Sequence, residues 1–306
     1  MELIRSFTQL IQALQRRGVR RRVAVVCPND AHTEYVVQRS LREGTARFLL
    51  VTDAAHREPS VRLRAAAPDG VQVYETSTPE EAAVRAVALV RAGEADVLMK
   101  GLINTDSLLR AVLNKEEGLL PPGGVLSHLA VMQLPVYPKL LFCSDVAVIP
   151  RPTLAQFRAV VGADVSVCRR LGVGCPRVAL VHCSEKVSDK FPHTLDYVRL
   201  KEDAAQGRFG EVYMDGPMDA KTACDAHSGE VKGLCSPVVG NADLLVFPNI
   251  EAGNVFYKAL TLFGGADTAC MLTGTTAPVV VPSRADSGDS KYYSLALACY
   301  VKEGGG

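Results

Sequence analysis

The sequence predicts an α/β fold of two lobes with mainly parallel sheets flanked by helices, and three observations carry that prediction. Short apolar runs alternate with helical segments along most of the chain. Those runs are apolar throughout, as strands covered on both faces are. Most of them end in turn residues or feed a helix, the rhythm of parallel strands joined by crossovers.

Taken in order, MELIRSFTQLIQALQRR carries charges throughout and reads as an amphipathic helix rather than a secretory signal. Val23–Cys27 is the first buried strand, ending in Pro28-Asn29-Asp30, and a helix over 31–42 follows. Phe48–Thr52 and Val71–Tyr74 are the second and third strands. Glu80–Ala92 is a helix, with Pro79 at its start, acids in its first turn and Gly93 to stop it. Asp96–Met99 is the next strand, and Leu140–Phe142 with Val146–Ile149 continue the sheet. Pro150-Arg151-Pro152 then interrupts the pattern, because neither proline can extend a helix or donate to a ladder. It restarts with a helix near 153–161 and strands at Arg177–His182, Leu244–Phe247 and Pro278–Val281. A last helix over about 287–301 is free to pack back on the first lobe.

Composition narrows the function. A chain of 306 residues with 48% hydrophobic and 22% charged residues buries a sizeable core. A net charge of +1 creates no global field for nucleic acid or an anionic membrane, so an anionic substrate must be held by a few local cations. The arginines of RRGVRRR (16–22) read as a solvated helix end and linker, with no aromatics between them to stack bases. Nine cysteines with no CxxC spacing imply buried, reduced thiols in a cytoplasmic protein rather than disulfides or zinc. No apolar run approaches the roughly 18 residues of a membrane span.

Ligands of open α/β sheets collect beyond the carboxyl ends of strands, and four polar clusters stand in such places. After DVLM come Lys100, Gly101, Asn104, Thr105 and, on the next helix, Arg110. Lys100 brings a cation, Gly101 admits close backbone approach, and Asn104 or Thr105 caps a helix whose amides favour anions. After the strand ending at Phe247 come Asn249, Glu251, Asn254 and Lys258, which are either cleft residues or turn and cap residues. After PVVV come Ser283, Arg284, Asp286 and Asp289, where Arg284 is suited to fork onto phosphate. Asp286 as helix cap with Asp289 at the third position would equally form a capping box. The fourth cluster, around His128, fits an ordinary core histidine better than a catalytic one. There is no Walker-type loop and no GxGxxG.

At these clusters the chain resembles the phosphate acetyl/butyryltransferase family, most closely its butyryltransferase branch. The matching blocks are LMKGLINTDSLLRAVLN (98–114), SDVAVIPRPTLAQ (144–156), SEKVSDKFPHTLD (184–196), MDGPMDAKTA (214–223), ADLLVFPNIEAGNVFYK (242–258) and VVVPSRADSGDSKYYSLALA (279–298). The resemblance implies an isocitrate/isopropylmalate dehydrogenase-like architecture. Its first lobe would be 1–149 plus 284–306 and its second 150–283, with the active-site cleft between them. It implies reversible transfer of a short acyl group, butyryl or similar, between coenzyme A and inorganic phosphate. Acetyl-CoA specificity is the alternative, and a metal- and NAD(P)-dependent dehydrogenase of similar fold a more distant one. The family uses coenzyme A as substrate, holds no metal or permanent cofactor, and is usually homodimeric.

The resemblance carries Ser283 and Arg284 over as catalytic and Arg110 as a phosphate contact. The acetyl branch has its catalytic aspartate seven residues beyond the serine, where this chain has Ser290. Asp289, one residue earlier, is therefore the expected base, with Asp286 second. Lys100, Asn104, Thr105, Asn249, Glu251, Asn254, Lys258 and Asp286 are the expected substrate-binding set.

Overall fold

The opening segment folds as an amphipathic helix: α1 (Phe7–Arg17) buries Phe7, Leu10, Ile11 and Leu14 and places Arg16 and Arg17 in its last turn, where cations complement the helix dipole. The computed structural model describes residues 2–283 and 285–302. They divide into a first unit, 7–124 with 269–302, and a second, 2–6 with 125–268.

In the first unit β1 (Arg21–Val26), α2 (Ala31–Glu43), β2 (Ala46–Asp53), α3 (Glu58–Ala66), β3 (Val71–Thr76), α4 (Pro79–Arg91), β4 (Val97–Lys100) and α5 (Thr105–Val112) alternate as expected. Strands β1 to β4 are mutually parallel, in the order β3-β2-β1-β4. Their interiors are wholly buried at Val23–Val26 and Val97–Lys100, which explains the uninterrupted apolar runs.

The second unit contains β5 (Ser127–Gln133), β6 (Leu141–Ser144), α6 (Leu154–Arg170), β7 (Arg177–Val181), α7 (His193–Ala205), β8 (Tyr213–Met218), α8 (Ala220–Cys224), α9 (Ala226–Val231), β9 (Leu244–Val246) and α10 (Ile250–Phe263). Its strand order is β5-β6-β9-β7-β8, antiparallel only between β5 and β6. The chain then supplies the first unit with β10 (Asp267–Thr273), β11 (Val279–Val280) and α11 (Gly288–Val301). Strand β11 lies parallel to β4, and β10 antiparallel to β11. Helix α11 is anchored there by the Phe7–Tyr293 ring stack, 4.6 Å between centroids, and by the Tyr292 hydroxyl donating to Glu43 at 2.6 Å.

Several expectations change. The division falls at 125 and 269 rather than at the proline break, because β6 pairs with both β5 and β9 and so binds 127–144 to the second unit. Val146–Ile149 is a turn, not a strand: the buried Asp145 carboxylate accepts from the Ala147 and Val148 amides at 2.7 and 2.8 Å, which curls the chain. Helix α6 continues past residue 161 to Arg170, since Val160, Val161, Val165 and Cys168 are buried along it and outweigh Gly162. The sequence predicts neither β5 nor β10: each pairs antiparallel with the strand that follows it, β6 and β11, and so stands outside the strand–turn–helix rhythm. In β8 the Gly216-Pro217 pair reads as a breaker.

Candidate functional site

The register of the first sheet decides which residues meet. Val26 pairs with Lys100 and Val280 with Met99, so β1, β4 and β11 end along one edge. Helices α2, α5 and α11 start a few residues beyond those ends, capped by Asp30, Asn104 and Ser287. That edge gathers helix amides able to favour an anion.

Close packing holds the edge together. The Gly101 and Leu102 amides donate to the Val26 and Cys27 carbonyls at 2.8 and 2.7 Å. A side chain at residue 101 would put its Cβ 2.3 Å from the Cys27 carbonyl oxygen, so only glycine fits. Cys27 itself takes a left-handed conformation, φ 51°, uncommon for a residue other than glycine. Its thiol is pushed up to about 12 by burial and then by Asp53 and Glu80, which keeps it protonated and inert.

Two buried lysines bring positive charge here. Lys100 ends β4, and its ammonium donates to the Gly101 carbonyl at 3.4 Å. Lys291, on the first turn of α11, is paired with Asp30 at 3.2 Å. Burial works against the Asp30 carboxylate, but the Thr33 hydroxyl and amide and the Lys291 ammonium hold it below its usual range. Beside it, the Asn29 side-chain oxygen is buried with no hydrogen-bond partner. The Asp30–Lys291 pair joins residues far apart in sequence, and no local signal links them.

The turn expected to carry catalysis follows β11. Ser283 is exposed; its amide donates to the Asp286 carboxylate at 2.8 Å, and its hydroxyl accepts from the Ala285 amide at 3.3 Å. Arg284 lies outside the described residues. The cap of α11 is Ser287, accepting from the Ser290 amide, rather than Asp286 of the capping-box alternative, because Asp286 is already turned back onto Ser283. Asp289 faces helix α2, where Tyr35 and Arg39 donate to it. Asn104 caps α5 as expected, accepting from the Asp106 amide at 3.0 Å; Thr105 is its first residue, and Arg110 is exposed in its last turn.

The second unit presents its own strand-carboxyl edge. Asn249 caps α10, accepting from the Ala252 amide at 2.9 Å, and the Asn254 amide donates to the Val146 carbonyl at 2.9 Å. Asn249 thus closes the start of α10 and Asn254 fastens the helix to the turn after β6, the turn-and-cap alternative for this cluster. Glu251 and Lys258 are exposed, with the Lys258 ammonium 5.0 Å from the centre of the Tyr257 ring. Beyond β7, His182 and His193 share a hydrogen bond at 3.1 Å that sequence spacing did not reveal. Burial lowers both imidazoles, and each neighbours the other. His128 is buried within β5. Among the described residues, no three His, Cys, Asp or Glu side chains cluster as a metal site, and no helix is long and apolar enough to cross a membrane.

A family model described as phosphate acetyl/butaryl transferase matches residues 68–299. A phosphate butyryltransferase of Clostridium acetobutylicum is 36% identical over 98% of this chain and 99% of that protein. The crystal structure of a branched-chain phosphotransacylase from Enterococcus faecalis superposes with a TM-score of 0.80 at 30% identity, over 92% of this chain and 98% of the other. A putative 4-hydroxythreonine-4-phosphate dehydrogenase from Salmonella typhimurium, 13% identical with a TM-score of 0.56, covers 92% of this chain and all of its own; it shares the fold alone.

Proposed function

Because the chain belongs to the phosphate acetyl/butaryl transferase family, a family of transferases, we propose that it moves a butyryl or similar short acyl group between coenzyme A and inorganic phosphate. Phosphate acyl transfer follows from the family; the acyl group is the finer reading, and acetyl is its competitor. The observation that carries the proposal is the Ser283–Asp286 contact, set beside helix amino ends and the buried Lys100 and Lys291.

In the direction that makes acyl-CoA, the thiol of coenzyme A must lose its proton. With a pKa near ~8.5 it is only a few per cent ionised at neutral pH. Asp286, the carboxylate nearest the serine, takes that proton. Sulfur attacks the carbonyl carbon of the acyl phosphate, the carbonyl oxygen becomes an oxyanion, and collapse expels phosphate. The Ser283 hydroxyl donates to the oxyanion, and Arg284, by resemblance, forks onto the phosphate. Lys100, with the amides of α5, adds positive potential at the same edge. The placement of the base departs from the sequence expectation, because Asp289 is engaged by Arg39 and Tyr35.

The test is a panel of acetyl-, propionyl-, butyryl- and branched acyl-CoA thioesters with phosphate, following thiol release. The reading expects the fastest turnover with a four-carbon or branched chain. Each methylene contributes about 0.8 kcal/mol in an apolar pocket, so neighbours in the series should differ several-fold. No phosphate-dependent thiol release from any thioester ends the proposal.

The enzyme is proposed to act in the cytoplasm as a homodimer. Helix α10 supports the dimer: Val255, Leu262 and Phe263 are 68, 73 and 84% exposed, an apolar face unusual for a monomer. Sedimentation of wild type against Phe263→Asp tests it, with a monomeric wild type the contrary result.

A further inference from the structure

The amino ends of β6, β7 and β9 bound a cavity of about 420 Å³ at the opposite strand edge of the second unit from Asn249. Its size falls within the range of small-molecule sites. Arg5, Lys139 and Arg177 reach it, against the single carboxylate of Asp243.

The hydrogen bonding is unequally divided. Asp243 is buried and accepts from the Lys139 ammonium and, at 2.8 Å, from the Arg177 backbone amide. Lys139 also donates to the carbonyl and side-chain oxygens of Asn241, at 2.8 Å each. The guanidinium of Arg177 comes no nearer than 3.6 Å to Asp243, beyond a normal hydrogen bond. Its Nε is buried and finds no partner. The nearer terminal nitrogen also stops short of Asp243, and an oxyanion offering two oxygens to that end of the guanidinium would pair with it.

The surrounding backbone is built to hold the shape. The Ile4 amide donates to the Leu171 carbonyl at 2.9 Å, which fixes the segment carrying Arg5 to the loop between α6 and β7. A Cβ on Gly172, φ 88°, would stand 2.3 Å from the Glu2 carbonyl oxygen, so glycine is required for that approach.

We propose that this cavity is a second ligand site, separate from the acyl-transfer residues, for a small polyanion bearing phosphoryl or carboxylate groups. Arg177 supplies the fork, Arg5 the outer cation, and Lys139 holds Asp243 away from the ligand.

Calorimetric titration of wild type, R284A, R177K and R5Q with inorganic pyrophosphate, and separately with citrate, tests it. R284A weakens anion contacts of the acyl-transfer site and should still bind about one equivalent of one of these anions. R177K keeps a cation near Asp243 but cannot form the two-pronged contact, and R5Q leaves Lys139 and Arg177 in place. Each should weaken one equivalent of binding at least tenfold while basal thiol release stays within about twofold of wild type. The two anions distinguish a phosphoryl from a carboxylate ligand. The proposal is overturned if neither anion binds R284A, or if R177K and R5Q both bind as wild type does. Failure of the acyl-transfer reading would instead appear as absent thiol release in wild type.

Discussion

The carboxylate of Asp289 lies 2.7 Å from the guanidinium of Arg39 and accepts a second hydrogen bond from the Tyr35 hydroxyl at 2.9 Å. Arg39 in turn pairs with Glu43 at 2.8 Å and lies over the Tyr292 ring, 4.0 Å from its centre. Asp289 thus latches α11 to α2, while Asp286 holds the Ser283 amide. General-base assistance is typically worth ~10²–10⁴ in rate. Asp286→Asn should therefore lower turnover about hundredfold with the fold intact. Asp289→Asn should stay within about threefold and cost about 0.5–1 kcal/mol of stability, as for an exposed ion pair. Thiol-release kinetics on both variants decide, and the reverse ranking returns the base to Asp289.

Arg284→Lys should raise the Michaelis constant for phosphate about tenfold and lower kcat less. An ammonium keeps the charge but cannot make two parallel hydrogen bonds to one phosphate. Saturation curves in phosphate at fixed acyl-CoA check this; an unchanged constant would remove Arg284 from phosphate binding.

Gly101→Ala should destabilise the protein by about 1–3 kcal/mol, the usual cost of forcing extra volume into a packed site. The added methyl would meet the Cys27 and Val26 carbonyl oxygens at 2.3 and 2.6 Å, in the segment that sets Lys100 beside the end of β1. Urea unfolding measures the change, and a wild-type midpoint would mean that the two strand ends can part freely.

Stability should fall as pH drops below about 6.5. Burial lowers the folded-state pKa of His182 and of His193, the latter also through its neighbour. Below the ordinary histidine value of ~6.5 the unfolded chain binds more protons than the folded one, so stability is full above that pH and declines towards the folded pKa values. Depressed carboxylates such as Asp219, held at about 2, act only below ~4, in a separate window. Melting temperatures from pH 7 to 5.5 should decline, and His182→Asn should flatten the slope. An equally steep slope in that variant would place the titration elsewhere.

Much of the fold was legible in the residues. Buried parallel strands such as Val23–Val26 leave no room for alternation, and prolines and capping side chains punctuate the helices, so local chemistry alone marks these elements. The antiparallel strands β5 and β10 are not marked in the same way, because their partners are chosen by pairing rather than by a strand–turn–helix step. The candidate residues were likewise visible as polar clusters at strand ends, while their division of labour was hidden. The sequence places Asp286 and Asp289 three residues apart in one turn, and nothing local separates them.

The amino-acid order by itself determined the family, the α/β class and the strand-end positions of Lys100, Asn104 and Ser283, because hydrophobic period, turn chemistry and motif text are properties of short segments. Only the tertiary structure decided that Asp286 turns to Ser283 while Asp289 turns to Arg39, that Lys291 meets Asp30, and that Arg177 keeps a buried, unpaired nitrogen. The Asp289–Arg39 and Lys291–Asp30 pairs depend on which distant side chain arrives at hydrogen-bond distance, and that is set by packing and sheet register across hundreds of residues.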